Sequence, residues 1–233
     1  MSGDRVCVAG VTDRGECVRP VIRGGGIHRE RLYAGSELII RPRARVEFDF
    51  QSIRSAPPHV EDKAFAPEKT RFLGMCDDAE WEGVLRSSLF PSVAEVFDGE
   101  LNEPHWVEPG APTRSLGTIL PATIDEVQFE PRDQRIEHRL RFTDAGNHSY
   151  KGVKVNDLAF QAFAQMELSR VAFLSAAAGR VLGLLQSADR VYLRLGLARP
   201  WHNLNTGRKE CWMQVTGIHT FPDYLKGKTF ADF

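Results

Sequence analysis

The chain predicts a mainly β (α+β) fold: two small barrel-like sheets joined by a connector, with one long helix in the C-terminal third. Two observations carry this expectation. Apolar and polar residues alternate with a period of two on both sides of a block whose period is helical. That block, Asp157 to Ser187, reads as one long helix with Gly179 as the place for a break, and puts Phe163, Met166, Phe173, Leu174, Ala177, Val181, Leu184 and Leu185 on one stripe. With 233 residues, 42% of them hydrophobic, the chain can bury a full core. The expected division is a first barrel over 1–75, a helical and irregular connector over 76–122, and a second barrel over 123–233 with the helix inserted at 157–187.

The opening segment reads as a hairpin. Val6 to Gly10 and Glu16 to Ile22 flank a Thr12–Gly15 turn, and the second strand ends in Arg19-Pro20. Arg23 to Gly26 follows as a plain loop, lacking the Gly-Lys-Ser/Thr that a phosphate loop requires. Ser36 to Pro42 and Ala44 to Gln51 are the next strands, with Val46, Phe48 and Phe50 on one face. Two prolines make Ser55 to Asp62 an interruption. From Asp77 the period becomes helical through Trp81, Val84 and Leu85, with Asp78 as the cap, and Ser92 to Phe97 gives a second helical turn. Asp98 to Thr113 is an irregular connector in which Trp106 plugs a local core. Thr123 to Glu130 and Gln134 to Phe142 form a hairpin, with His138 facing in as a hydrogen-bonded core histidine and Arg135, Glu137, Arg139 and Arg141 facing out. Tyr150 to Val155 is a further strand, after which Asn156-Asp157 caps the long helix.

The final strand pair gathers polar and aromatic groups at one edge. Val191, Leu193, Leu195 and Leu197 alternate with Tyr192, Arg194, Gly196 and Ala198, while Cys211, Met213 and Val215 alternate with Trp212, Gln214 and Thr216. Between them run Arg199, Pro200, Trp201, His202, Asn203, Asn205, Gly207, Arg208 and Lys209.

Segments Cys7 to Ile22, His59 to Asp62, Arg141 to Asp157 and Leu193 to Ile218 together resemble a prokaryotic family described as the dual OB-containing domain. The resemblance implies two OB-type barrels and a nucleic-acid- or nucleotide-binding role, and it brings no catalytic residues. In such barrels bases stack on aromatic side chains across the strand face while basic loops follow the phosphates. Tyr192, Arg194, Trp212 and Gln214 are the expected platform; Arg199, Trp201, His202, Arg208 and Lys209 are the expected loop. Alternatively, Tyr192 and Trp212 pack beneath the helix. Arg19 and Arg41, in a basic cluster with Arg23, Arg43 and Arg45, are further candidates to touch phosphate, though Glu47 and Asp49 on the same strand oppose that.

Charge narrows the options. Thirty basic and thirty-one acidic side chains leave a net charge of −1, so polyanion binding requires a local patch rather than a whole-molecule field. Four scattered cysteines, without a paired spacing, predict neither disulfide nor zinc site. No apolar run long enough to cross a bilayer occurs, and the chain reads as cytoplasmic with no membrane partner. The expectation is therefore a non-catalytic binding module for single-stranded nucleic acid or nucleotide, with no metal or cofactor. Two other readings stand beside it. A metal-dependent nuclease or nucleotide hydrolase would use His59, Glu61 and Asp62, with Asp77, Asp78 or His28 as distant donors. A protein-interaction subunit would present the aromatic edge to a partner chain.

Overall fold

Strand residues outnumber helical ones, 41% against 21%, in the computed structural model, which describes residues 5–22, 26–51, 53–133 and 135–233. Most of the expected Arg23 to Gly26 loop, and Gln134 at the start of an expected strand, lie outside those residues. The chain divides into two compact units, 1–88 and 89–233.

In the first unit the strands are short: β1 (Arg5–Val6), β2 (Gly10–Val11), β3 (Cys17–Val21), β4 (Ile27–His28), β5 (Tyr33–Ala34), β6 (Glu37–Leu38), β7 (Ala44–Glu47), β8 (Phe50–Gln51), β9 (Asp62–Phe65) and β10 (Arg71–Met75), before helix α1 (Asp78–Ser87). They pair as one four-stranded sheet, β2-β3-β9-β8, and three two-stranded ribbons. The two longer strands expected between Ser36 and Gln51 are thus broken into pieces. Arg43, with a positive φ of 67°, turns the chain into β7. The helix starts one residue earlier than its pattern suggested, because Asp77 rather than Asp78 is the cap. Asp77 accepts the Glu80 amide at 2.8 Å and the Glu80 side chain accepts the Asp77 amide at 3.0 Å.

The second unit contains β11 (Leu89–Phe90), α2 (Val93–Val96), β12 (Trp106–Val107), β13 (Leu116–Ile119), β14 (Thr123–Arg132), β15 (Arg135–Thr143), β16 (Ser149–Val155), α3 (Leu158–Ser169), α4 (Leu174–Gln186), β17 (Arg190–Leu197), β18 (Trp201–Asn203) and β19 (Arg208–Phe221). One sheet runs β11-β13-β17-β19-β16-β15-β14, and β12 and β18 also pair with β19. Its two ends, β11 and β14, are not paired with each other, so no closed barrel forms among the described residues. β16 and β19 run parallel, which requires a crossover, and α3 and α4 lie within it. The core beneath them joins Phe160, Phe163, Ala177, Val181 and Leu185 to Val127, Leu140, Phe142, Leu193, Leu195, Met213 and Val215.

The expected single long helix is two. Arg170 to Phe173 turns the chain, with Arg170 and Val171 donating to carbonyls three residues back and Phe173 extended at φ −131°, ψ 143°. A straight helix of about thirty residues would reach about 45 Å, against about 33 Å for a ten-residue strand beneath it. Folding back lets both halves cover the same sheet. Glu167, buried on α3, binds Arg170 at 2.5 Å and Arg180 of α4 at 2.8 Å, which ties the two helices together. Asp157 is the cap of α3, accepting the Ala159 and Phe160 amides at 2.9 and 3.3 Å and, with its other oxygen, the Ile218 amide of β19 at 3.0 Å.

His138 is in the core as expected, between Phe129 at 4.8 Å and Phe160 at 5.9 Å. It is not held by polar contacts on both nitrogens: Nδ1 is buried with no hydrogen-bond partner among the described residues. Desolvation pushes the imidazole down to about 4.

Candidate nucleic-acid interface

The two faces of β17 do not separate into core and platform. Tyr192 is 1% exposed, with its ring edge-on to Phe221 at 5.8 Å, and Arg194 is 5% exposed. Neither can offer a surface to a base, which corrects the expected platform. Gly217 stands opposite Arg194 on β19, and a Cβ there would lie 3.2 Å from Arg194 Cγ, so the absent side chain makes room for the arginine.

Past Leu197 the chain resumes as β18 and continues the hairpin with β19. Trp201 is opposite Glu210, His202 opposite Lys209, and Asn203 opposite Arg208. Because side chains alternate across a strand, Trp201, Asn203, Arg208, Glu210 and Trp212 share one face, and His202 and Lys209 take the other. The tip is closed by short-range bonds. Asn203 O accepts the Gly207 amide at 2.8 Å, Asn203 Oδ1 accepts the Asn205 amide at 3.0 Å, and Gly207 adopts the left-handed φ of 69° that the turn demands.

Glu210 organises the root of that face. It is 3% exposed, and its carboxylate accepts Asn203 Nδ2 at 2.9 Å, Trp212 Nε1 at 3.0 Å and Thr206 Oγ1 at 3.4 Å. Trp106 of β12 is opposite Trp212 in register, buried, with its own indole N–H on Glu103 O at 3.2 Å. Trp212 is therefore half-buried and fixed, whereas Trp201 is 54% exposed and Leu204 at the tip 84%. Arg199 is exposed at the entry to β18. Its charge opposes the burial that pushes the Cys211 thiol up to about 11.

No protein-family model, curated protein or solved structure matches the chain.

The arginines of the sheet face differ from those of the hairpin. Arg139 binds Glu130 and Glu137, both at 3.0 Å, and the Gly152 carbonyl at 2.8 Å. Arg135 and Arg141 lie 3.4 and 3.7 Å from Glu137 and Glu126. Lys154 donates to Glu137 at 2.7 Å, and this bond, with the neighbouring cations, holds the Glu137 carboxyl below its usual range. These cations are neutralised where they stand. Arg208 and Lys209 are exposed and have no carboxylate within ion-pair distance among the described residues.

Several basic residues of the first unit are likewise engaged, although Arg41 Nε is buried with no hydrogen-bond partner among the described residues. Arg43 pairs with Asp78 and Arg45 with Glu80, at 2.6 Å for the latter, joining β7 to the first turn of α1. Arg41 is half-buried. Arg19 is buried, because the parallel β3–β9 register puts it opposite Asp62, whose Oδ1 lies 3.0 Å from its Nη1. The same nitrogen is 3.3 Å from His59 Nδ1. Arg19 thus cannot meet a phosphate at the surface. His59 and Asp62 do gather, but around this guanidinium, while the Glu61 backbone carbonyl accepts the Arg19 amide at 2.8 Å. Among the described residues no three His, Cys, Asp or Glu side chains form a group able to hold a metal. Asp77 and Asp78 are spent on the cap of α1 and on Arg43.

Glu210 is the site residue that the sequence left unmarked; Trp106, expected as a local core plug, is buried, but its place opposite Trp212 was not foreseen. Glu210 was legible in part, since the alternation that isolates Trp212 puts residue 210 on the same face. Trp106 carried no such signal, because its pairing with β19 spans about a hundred residues of chain.

Proposed function

We propose that this protein is a non-catalytic binding module for single-stranded nucleic acid or nucleotide, of the dual OB type that its sequence resembles, and that it makes contact through the β18–β19 hairpin of the second unit. One observation carries the reading. Trp201 offers an exposed aromatic surface on the same hairpin face as Arg208, whose charge has no carboxylate partner among the described residues, while the arginines of the adjoining sheet are neutralised. Stacking of a base on a tryptophan, with a cation for the phosphate, is how sequence-tolerant single-strand binders gain affinity. Anisotropy titration of the intact chain with a labelled single-stranded oligonucleotide at two salt concentrations tests it. Saturable binding that weakens with salt and is weaker in Trp201→Ala is expected; no binding at low salt would reject the reading.

Leu204, apolar and 84% exposed at the tip, favours a second reading in which the hairpin meets a protein partner. Loss of partner capture in Leu204→Ser, with oligonucleotide affinity absent in the parent, would select it.

A further inference from the structure

We infer that the hairpin face takes a single nucleotide unit, one flat base on Trp201 and one phosphate at Arg208, rather than a strand followed over several phosphates. This rests on the binding-module reading above and narrows it to a ligand class. The register is the first reason. It sets Trp201 and Arg208 on one face and turns His202 and Lys209 to the other, so of the cations paired in the hairpin a ligand lying flat on Trp201 meets Arg208 and not Lys209.

Charge at the two ends of the face is the second. At the root, Glu210 holds a buried carboxylate against neutral donors only, namely Asn203, Thr206 and Trp212. An anion in that position repels a phosphate, which leaves the tip, where Arg208 is opposite Asn203, as the place for it. A base therefore points its ring toward Trp212 and its phosphate away from the sheet.

The third reason lies beyond Trp212. The next outward side chain, Gln214, is bound by Asn156 at 2.6 Å, and past it Lys154, Arg139 and Arg141 are committed to Glu137, Glu130 and Glu126. A strand continuing that way would find each of these three cations, among the described residues, already held by a carboxylate. A planar guanidinium also suits a terminal phosphate, which it can grip with two donors.

Calorimetric titration of the intact chain with adenosine, adenosine 5′-monophosphate and a single-stranded adenylate decamer tests this. The expected result is a monophosphate affinity within about tenfold of the decamer's per nucleotide, and a decamer salt slope of about −0.7, that of one phosphate. Arg208→Ala should weaken the monophosphate to the level of adenosine and leave adenosine unchanged, whereas Lys209→Ala should change none of the three. Both are surface residues, so the fold survives either substitution. A decamer more than tenfold tighter per nucleotide, with a slope twice as steep and a loss in Lys209→Ala, would overturn the one-nucleotide inference and leave the binding module standing. Failure of all three probes to bind would overturn both.

Discussion

Trp212 donates its indole N–H to Glu210 at 3.0 Å, two residues back on the same strand and face. The bond fixes a large ring at the root of an exposed hairpin, and the same carboxylate also holds Asn203 and Thr206 of the turn. Glu210→Ala is expected to lower stability by about 1–3 kcal/mol, since three donors lose their acceptor. Near-UV circular dichroism should change with it. Glu210→Gln keeps one acceptor oxygen and should restore part of both signals; a glutamine variant no better than alanine would argue against the hydrogen bonds.

The two hairpin tryptophans should respond differently to truncation. Trp201→Ala removes an exposed ring and is expected to cost about 1–3 kcal/mol of oligonucleotide binding with an unchanged melting temperature. Trp212→Ala removes a half-buried, hydrogen-bonded ring and should lower the melting temperature. Paired binding and thermal scans decide this. A Trp201 variant that melts early, or one that binds as the parent does, would contradict the assignment.

How much of this was legible in sequence depends on whether a feature is local. The alternation from Thr123 to Val155 and from Val191 to Val215 marked the strands, and Asp157 marked the start of α3, because strand period and capping act over a few residues. The turn at Arg170 to Phe173 was not legible: no glycine or proline occurs there, and Glu167 meets Arg180 only after the chain has folded back. Tyr192 misled for a related reason. Its polar-facing position in the alternation implied exposure, but both faces of β17 are buried. The sorting of Trp201 and Arg208 from His202 and Lys209 needed the hairpin register, which composition does not encode.

Acid should unfold the second unit through His138. Its folded imidazole titrates at about 4, below the ordinary 6.5. Between those values the unfolded chain binds a proton that the folded chain refuses, so this contribution is complete above about pH 6.5 and is lost as pH falls toward 4. His138→Leu is expected to remove on the order of 3 kcal/mol of that pH dependence. Denaturant melts at pH 7.5 and 4.5 measure it, and equal pH differences in variant and parent would refute it.

Asp157 joins the start of α3 to β19 through three backbone amides. Asp157→Ala is expected to cost about 1–3 kcal/mol, and Asp157→Asn less, because one acceptor oxygen remains. Hydrogen exchange should show the loss at both Phe160 and Ile218; protection lost at Phe160 alone would mean that the link to β19 contributes little.

The self-neutralised sheet face has a consequence at the bench. With a net charge of −1, the chain could cling to heparin or phosphocellulose resin only through a local cluster of its thirty basic side chains. Here Arg135, Arg139, Arg141 and Lys154 already sit against their own glutamates, and displacing those contacts gains a sulfated polymer little. Such a protein should leave the column in low salt, and any retention that persists can be traced by substituting the hairpin cations one at a time.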